Sequence, residues 1–290
     1  GFPVDLTNDI ARERGLDLDV EGYEAAMQAQ RKRSQESGAF KVDYNAVLNL
    51  EGETDFIGYV ANDTDARVMA IYVDGESLQE LNAGQEGIAI LDSTPFYGES
   101  GGQVGDAGLL TAEGLRVEVR DTTKSQGHHL HHIQVTEGTL GVGNTVFAAI
   151  DNDLRVKIRA NHSATHLMHS ALRQVLGAHV EQKGSLVDSD KLRFDFSHTQ
   201  GVSANELEQI SRIVNEQVRA NRLTDTSEMS MDDAIAAGAT ALFGEKYGDV
   251  VRVLTMGTEG FSVELCGGTH VERSGEIGLF RITSEAGVAE

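Results

Sequence analysis

Between about residue 40 and residue 150 the apolar residues recur every second position. The runs at 68–73, 87–91, 115–119, 130–135 and 146–150 are short, and Gly, Asp, Asn and Thr separate them at short intervals. Successive side chains of a strand point to opposite faces, so this period predicts strands with one buried face. Their number predicts an all-β domain, a small barrel or sandwich. After about residue 151 the period lengthens. Ser203 and Glu206 have the spacing of a capping box, and Leu207, Ile210, Ile213, Val214 and Val218 follow on one helical face. A further helix is expected from near Asn161, with Leu167, Ala171, Leu172 and Val175 inward, and strands are expected at 192–196, 250–254, 261–265 and 277–282. Helices mixed with antiparallel strands make this part α+β. Ahead of both, Leu16, Val20, Tyr23, Ala26 and Met27 fall at helical spacing. The chain of 290 residues is therefore expected to be α+β in three parts: a helical lead-in at 1–40, a small antiparallel β domain at 41–150 and an α+β domain at 151–290. Arg31, Lys32 and Arg33 close the lead-in, as a solvated helix end or as a phosphate contact.

Lys and Arg number 24 against 46 Asp and Glu, a formal charge of −22. Binding nucleic acid through phosphates alone needs a basic face, so non-specific binding of that kind is disfavoured; a specific complex with local cations is not. The single cysteine excludes an intrachain disulfide framework and fits a reducing, cytoplasmic compartment. No apolar run reaches membrane-spanning length and no signal-peptide pattern opens the chain, so no membrane partner is expected. The first residue is Gly1 rather than Met, and a piece of a longer protein is expected.

His162 and His166 lie four apart in a predicted helix, about 400° around its axis, so both imidazoles leave one face a turn apart. A zinc protease of the HExxH type needs Glu after the first His; Ser163 stands there instead. About a hundred residues on comes Cys266-Gly267-Gly268-Thr269-His270. Its glycines disfavour a helix and suit a tight turn that brings Cys266 and His270 to one point. Thiolate and imidazole are zinc ligands, and the two pairs together point to a metal site where either alone would be weak. The histidines at 128, 129, 131 and 132 sit in a predicted strand, where alternation divides them between two faces; a solvated strand face is the expectation. Residues 95–106 carry four glycines without the Gly-Lys-Ser/Thr ending of a P-loop or a dinucleotide fingerprint. Two readings stay open there: a compact turn, or a backbone that approaches a ligand at Gly101 and Gly102 with Gln103 as its polar tip.

TPFYGESGGQVGD at 94–106, NHSATHLMHSAL at 161–172, HVEQKGSLV at 179–187, LRFDFSH at 192–198 and ELCGGTHV at 264–271 together resemble the editing region of alanyl-tRNA synthetases. GFPVDLT at 1–7 resembles the end of the tRNA-recognition part that precedes that region. Free-standing alanyl-tRNA editing proteins share the middle motifs, and that opening is not expected in them. The resemblance implies a β-barrel domain followed by an α+β, zinc-containing editing domain. It implies one zinc per chain, held by His162, His166, Cys266 and His270, and hydrolysis of the ester that joins serine or glycine to the 3′ end of tRNA(Ala). Four protein ligands make a closed site and three plus water an open one, so one ligand, His270 first, is expected to be exchangeable.

Thr165 lies between the two expected His ligands, its hydroxyl either meeting the serine side chain or packing in its helix, and the resemblance places Gln182 and Gln103 near the substrate. Gly101, Gly102, Lys183 and Arg193 are the expected contacts to tRNA or its terminal adenosine, although Arg193 and Asp195 equally make a structural ion pair. No counterpart of the aminoacylation part precedes these motifs, so ATP-dependent alanine activation is not expected, and the remainder of a synthetase is expected to lie outside this chain. Two alternatives remain: a tRNA-positioning module with a purely structural zinc, and a zinc hydrolase of another small ester or amide.

Overall fold

The computed structural model describes Gly22, Leu50, residues 52–240 and residues 248–287. Apart from Gly22, the expected helical lead-in lies outside the described residues, as do Arg31, Lys32 and Arg33. The chain divides into two units, residues 1–43 with 284–290 and residues 44–283, and every element below belongs to the second.

Six antiparallel strands close into a barrel: β1 (Asp63–Val73), β2 (Glu86–Leu91), β3 (Gly108–Ala112), β4 (Leu115–Ser125), β5 (His128–Glu137) and β6 (Thr145–Ile150). They run around it in the order β6-β3-β4-β5-β2-β1, and β6 pairs β1 to complete the circle. Alternation drives closure. On β4, Leu115, Val117 and Val119 are buried while Arg116, Glu118 and Arg120 face out. The inward set joins Val68, Leu91, Leu110, Val135, Val146 and Ala148 in one apolar core. Closure leaves these six strands no free edge. The barrel settles the choice between barrel and sandwich.

An α+β part follows: α1 (Asn152–Leu176), β7 (Gln182–Val187), β8 (Leu192–Phe196), α2 (Ala204–Ala220), β9 (Asp225–Ser230), the short α3 (Met231–Ala236), β10 (Val250–Met256) and β11 (Ser262–Leu265). β7 and β8 form an antiparallel ribbon, and β9, β10 and β11 a second sheet in that order. The expected capping box is present at Ser203 and Glu206, and Ile210, Ile213, Val214 and Val218 are buried. They pack with Leu167, Ala171 and Leu172 of α1 and with Leu254 and Met256 of β10.

Three expectations need correction. α1 starts at Asn152, not near Asn161, because Asp151 caps it by accepting from the Leu154 amide at 3.1 Å. Residues 277–282 are not a strand. The Asn215 side chain of α2 takes both backbone groups of Phe280, donating to its carbonyl at 2.8 Å and accepting from its amide at 3.0 Å, so Phe280 is bonded there without a partner strand. The strand histidines are not solvated: His128, His129 and His131 are buried. His131 uses both ring nitrogens, Nδ1 with the Ala89 carbonyl at 3.0 Å and Nε2 with Thr94 Oγ1 at 2.7 Å. His129 stacks on Phe56 and meets the Phe96 carbonyl through Nδ1 at 2.8 Å. No helix among the described residues is long and apolar enough to cross a membrane.

Where the glycine-rich segment leaves the barrel, Arg155 joins it to α1. This fully buried guanidinium binds both oxygens of Asp106 through Nε at 3.0 Å, with Nη2 closing the pair, and donates to the carbonyls of Gly58 at 2.9 Å and Pro95 at 2.8 Å. Asp106 also accepts from the Tyr97 amide at 2.7 Å.

The buried histidines predict an acid response. Burial lowers the His131 pKa to about 3, with neighbouring His129 and His132 adding to the fall and the Ala89 hydrogen bond partly offsetting it. Because the folded value lies below the unfolded one, the unfolded chain takes up the proton first. Stability is complete above about pH 6.5 and falls toward pH 3 by roughly 1.4 kcal/mol per pH unit for this residue. In denaturant titrations between about pH 5.5 and pH 4, His131→Gln should show a pH slope shallower by about one proton. An unchanged slope would mean that His131 is protonated in the folded barrel.

Candidate metal centre

α1 and the turn after β11 bring four side chains together. His162, His166, Cys266 and His270 each offer a ligand atom, and these atoms all lie within 4.8 Å of one another. Cys266 Sγ is 3.6 Å from His162 Nε2 and 3.3 Å from His270 Nε2. Tetrahedral ligands at zinc–nitrogen and zinc–sulfur bond lengths sit roughly 3.3–3.6 Å apart, which the two Cys266 separations match.

The other ring nitrogens show how the imidazoles are aimed. His162 Nδ1 meets Gln103 Oε1 at 2.7 Å, His166 Nδ1 meets Glu264 Oε2 at 2.7 Å, and His270 Nδ1 meets Ser163 Oγ at 3.3 Å. An acceptor at Nδ1 places the proton there and leaves the Nε2 lone pair for a metal. His166 Nε2 is buried with no hydrogen-bond partner, as a ligand atom should be in the protein alone. A Cys266 thiolate and the Glu264 carboxylate would bring two negative charges to the pocket, which suits a dication.

The Cys-Gly-Gly-Thr-His segment is the expected tight turn. Arg252 Nη1 donates to the carbonyls of Cys266 at 2.8 Å and Gly268 at 3.0 Å, and the Gly268 amide donates to Sγ at 3.4 Å. Gly268 has no substitute: a Cβ there would lie 2.1 Å from the His162 ring. Tyr59 donates to the Gly267 carbonyl at 2.5 Å, and Arg252 covers the Tyr59 ring.

Burial disfavours every charged form in this pocket, and the neighbours decide which survive. The imidazoles of His162, His270 and His166 hold the Cys266 thiol well below its ordinary value despite burial. Burial lowers the His270 pKa, although Cys266 opposes the fall. A thiolate and an unprotonated imidazole nitrogen are the forms that bind a metal. His166 moves the other way: burial opposes its charge, but Glu264 and Cys266 raise its pKa. A proton is therefore the competitor that a metal displaces at His166.

The remaining expected site residues divide. Gln103 is fully buried and wholly engaged: besides His162, its Oε1 accepts from the Thr269 amide at 3.0 Å and its Nε2 donates to Thr269 Oγ1 at 2.9 Å. Gly101 and Gly102 form the tight turn between Ser100 and Gln103. Gly102 has φ 86°, and its carbonyl accepts from the Val187 amide at 2.7 Å, so its backbone lies against β7. Thr165 is buried and donates to the Asn161 carbonyl at 2.9 Å. Gln182 opens β7, half-buried, and its side chain bonds no described residue. Lys183 pairs with Glu181 at 2.9 Å and Arg193 with Asp195 at 3.2 Å, both on the exposed ribbon.

Sequence reasoning missed Glu264, which also accepts from His169 Nδ1 at 3.1 Å and Ser262 Oγ at 3.2 Å. The period-two rule could have found it, since residues 262, 264 and 266 share one face of the strand and its extension. Ser163 was passed over too; besides His270 it accepts from the Val271 amide at 3.1 Å.

Residues 1–154 match the family model of class II (A) tRNA synthetases, and residues 251–290 match that of the threonyl and alanyl tRNA synthetase second additional domain. The chain is 58% identical over 289 residues to an alanine–tRNA ligase of Saccharophagus degradans, and 55% over 290 residues to that of Chromohalobacter salexigens. It is 54% identical over 289 residues to that of Pseudomonas entomophila. In each case 100% of this chain is covered, but it spans only 33% of the length of those curated relatives.

The Glu264 contact makes a prediction that needs no substrate. Glu264→Gln can still accept from His166 but loses the charge, and should weaken zinc binding roughly ten- to hundredfold. Competition with a chromophoric chelator measures this. Wild-type affinity in the variant would show that the carboxylate does not act on the site.

Proposed function

The chain belongs to the class II (A) tRNA synthetases, and on that premise we propose that it hydrolyses the ester joining serine or glycine to tRNA(Ala), a proofreading reaction. His162, His166, Cys266 and His270 would hold one zinc ion. The observation that carries this reading is the aim of those four groups: three imidazoles with Nδ1 occupied and one buried cysteine converge on a single point. The division into a barrel domain at 41–150 and an editing domain at 151–290 belongs to the same proposal.

Zinc, when bound, supplies a Lewis acid for an aminoacyl ester, which is already activated relative to an amide. The chain's own groups do the selecting and the positioning. Thr165 Oγ spends its hydrogen on the Asn161 carbonyl, so toward a ligand it can only accept. A serine side chain can donate to it; alanine has nothing to donate. A site that merely excludes by size cannot reject the smaller alanine, so rewarding the hydroxyl is the available route. Glycine would enter for lack of steric conflict. Gln182, whose side chain bonds no described residue, remains a candidate for the ligand's other polar groups. Gln103 is committed to His162 and Thr269, so its part is to orient a ligand residue rather than to touch substrate.

A second reading, a tRNA-positioning module with purely structural zinc, draws on the closed set of four protein ligands. Against it stands His270. It is the half-buried member of the set, and its Nδ1 contact at 3.3 Å is longer than the 2.7 Å contacts of His162 and His166. That loosest ligand is where a closed site would open.

The test is hydrolysis of Ser-tRNA(Ala), followed as loss of labelled serine, beside Ala-tRNA(Ala). Thr165→Val should keep zinc and fold yet lose about 1–3 kcal/mol of the preference for serine, roughly a five- to 150-fold fall in the rate ratio. An unchanged ratio with zinc intact would move selection away from Thr165. No hydrolysis by the zinc-loaded wild type would favour the positioning module.

A further inference from the structure

Arg159 lies on the ligand-bearing face of α1. Arg155, Arg159, His162, Ser163, His166 and His169 fall within one sector of the helix at about 100° per residue, and Arg159 sits roughly one turn before His162 and Ser163. Its guanidinium is half-buried, and its Nε is sealed from solvent without a hydrogen-bond partner. It makes no hydrogen bond and no ion pair with any described residue.

Among the described Lys and Arg side chains, Arg159 alone keeps a buried nitrogen without a hydrogen-bond partner. Arg120, Lys183, Arg193 and Arg212 each have a carboxylate at 3.4 Å or closer. The charges that act on Arg159 lie on two sides. Arg155 is one turn away with Asp106, whose carboxylate is spent on that neighbour; Glu272 and Glu276 follow His270 in the chain. Glu276 is itself engaged, accepting from the amides of Glu272 and Arg273. Glu272 acts on Arg159 through its charge but makes no ion pair with it, so the donors of the guanidinium have no protein acceptor there. Burial, with repulsion from Arg155, pulls the Arg159 pKa down, the mark of a charge held without its counterion.

A planar fork of donors without a protein acceptor suits an anion with two free oxygens. We propose that Arg159 receives a phosphodiester of the nucleic-acid strand that enters the metal centre, the linkage one nucleoside before the esterified end. This rests on the deacylase reading for the identity of the strand, but the site is a binding site in its own right. It also supplies the local cation that so acidic a chain needs to hold nucleic acid. Lys183 and Arg193, the cations expected from sequence, are each neutralised by a neighbour two residues away.

The test is a binding cycle on the whole chain, using a short single-stranded oligonucleotide that ends in CCA. The cycle compares it with the same strand carrying an uncharged methylphosphonate at its last linkage. Wild type should bind the neutralised strand roughly ten- to hundredfold more weakly, the size of one charge-assisted hydrogen bond. Arg159→Gln should bind the natural strand as weakly and be indifferent to the methylphosphonate. Arg159→Lys should recover part of the loss, because the charge survives without the fork.

If wild type ignores the methylphosphonate, the proposal is wrong whatever the variants do, misfolding included. It is also wrong if Arg159→Gln keeps full sensitivity to the methylphosphonate. Inorganic phosphate that binds as tightly as the oligonucleotide would assign Arg159 to a free anion instead and overturn the strand contact. Because only binding is read, a chain that shows the coupling but does not hydrolyse Ser-tRNA(Ala) would sink the deacylase reading alone. Hydrolysis without the coupling would sink this proposal alone.

Discussion

The buried pair of Arg155 and Asp106 is the joint on which the candidate site depends. A guanidinium and a carboxylate taken out of water are costly unless their remaining donors and acceptors are met. Here they are met, by the Gly58 and Pro95 carbonyls and by the Tyr97 amide. The pair fixes the first turn of the ligand helix to the segment that carries the glycine-rich turn. Removing one partner of such a pair strands a buried charge and typically costs about 3–5 kcal/mol. Hydrophobic packing could hold the barrel against the helix, but it has no direction. The ion pair adds a register, and that register decides where Gln103 arrives.

Gln103 then carries the barrel's contribution into the candidate metal centre. Its amide touches the ligand helix at His162 and the cysteine turn at Thr269, so three segments far apart in sequence meet on one side chain. Glu264 does the same from β11, and Ser163 from within α1. The acceptors differ in kind: a neutral amide, a carboxylate and a hydroxyl. The strongest electron donor of the three backs His166, deep in the pocket, and the weakest contact backs His270 at its half-buried edge. The contacts to the ring nitrogens thus lengthen from 2.7 Å at His162 and His166 to 3.3 Å at His270.

Much of this was legible in the sequence because it is local. Period two placed the core strands of the barrel, with β4 as the plainest instance. Helical period put His162 and His166 on one face, and two glycines explained how Cys266 and His270 could meet. What was not legible is either polar or long-range. In the first turns of α1, Leu154, Val156 and Ile158 recur every second position as in a strand, and Val156 is exposed, so its start was placed about ten residues late. Residues 277–282 have the composition of a strand, and only the fold reveals that the Asn215 side chain takes both backbone groups of Phe280. The barrel histidines looked solvated because nothing local shows that Thr94 and the Ala89 and Phe96 carbonyls are waiting for them. Arg155 and Asp106 are 49 positions apart. The isolation of Arg159 is a property of everything around it, and no spacing encodes that.

One histidine-rich pocket, closed by the lone cysteine, is proposed to bind a single zinc ion through side chains of this chain. X-ray absorption at the zinc edge, on protein loaded with one equivalent, tests it directly. The account predicts one sulfur at about 2.3 Å and nitrogen neighbours at about 2.0–2.1 Å, three of them or two with an oxygen in place of His270. A first shell without sulfur, or a six-coordinate shell of oxygens, would contradict it.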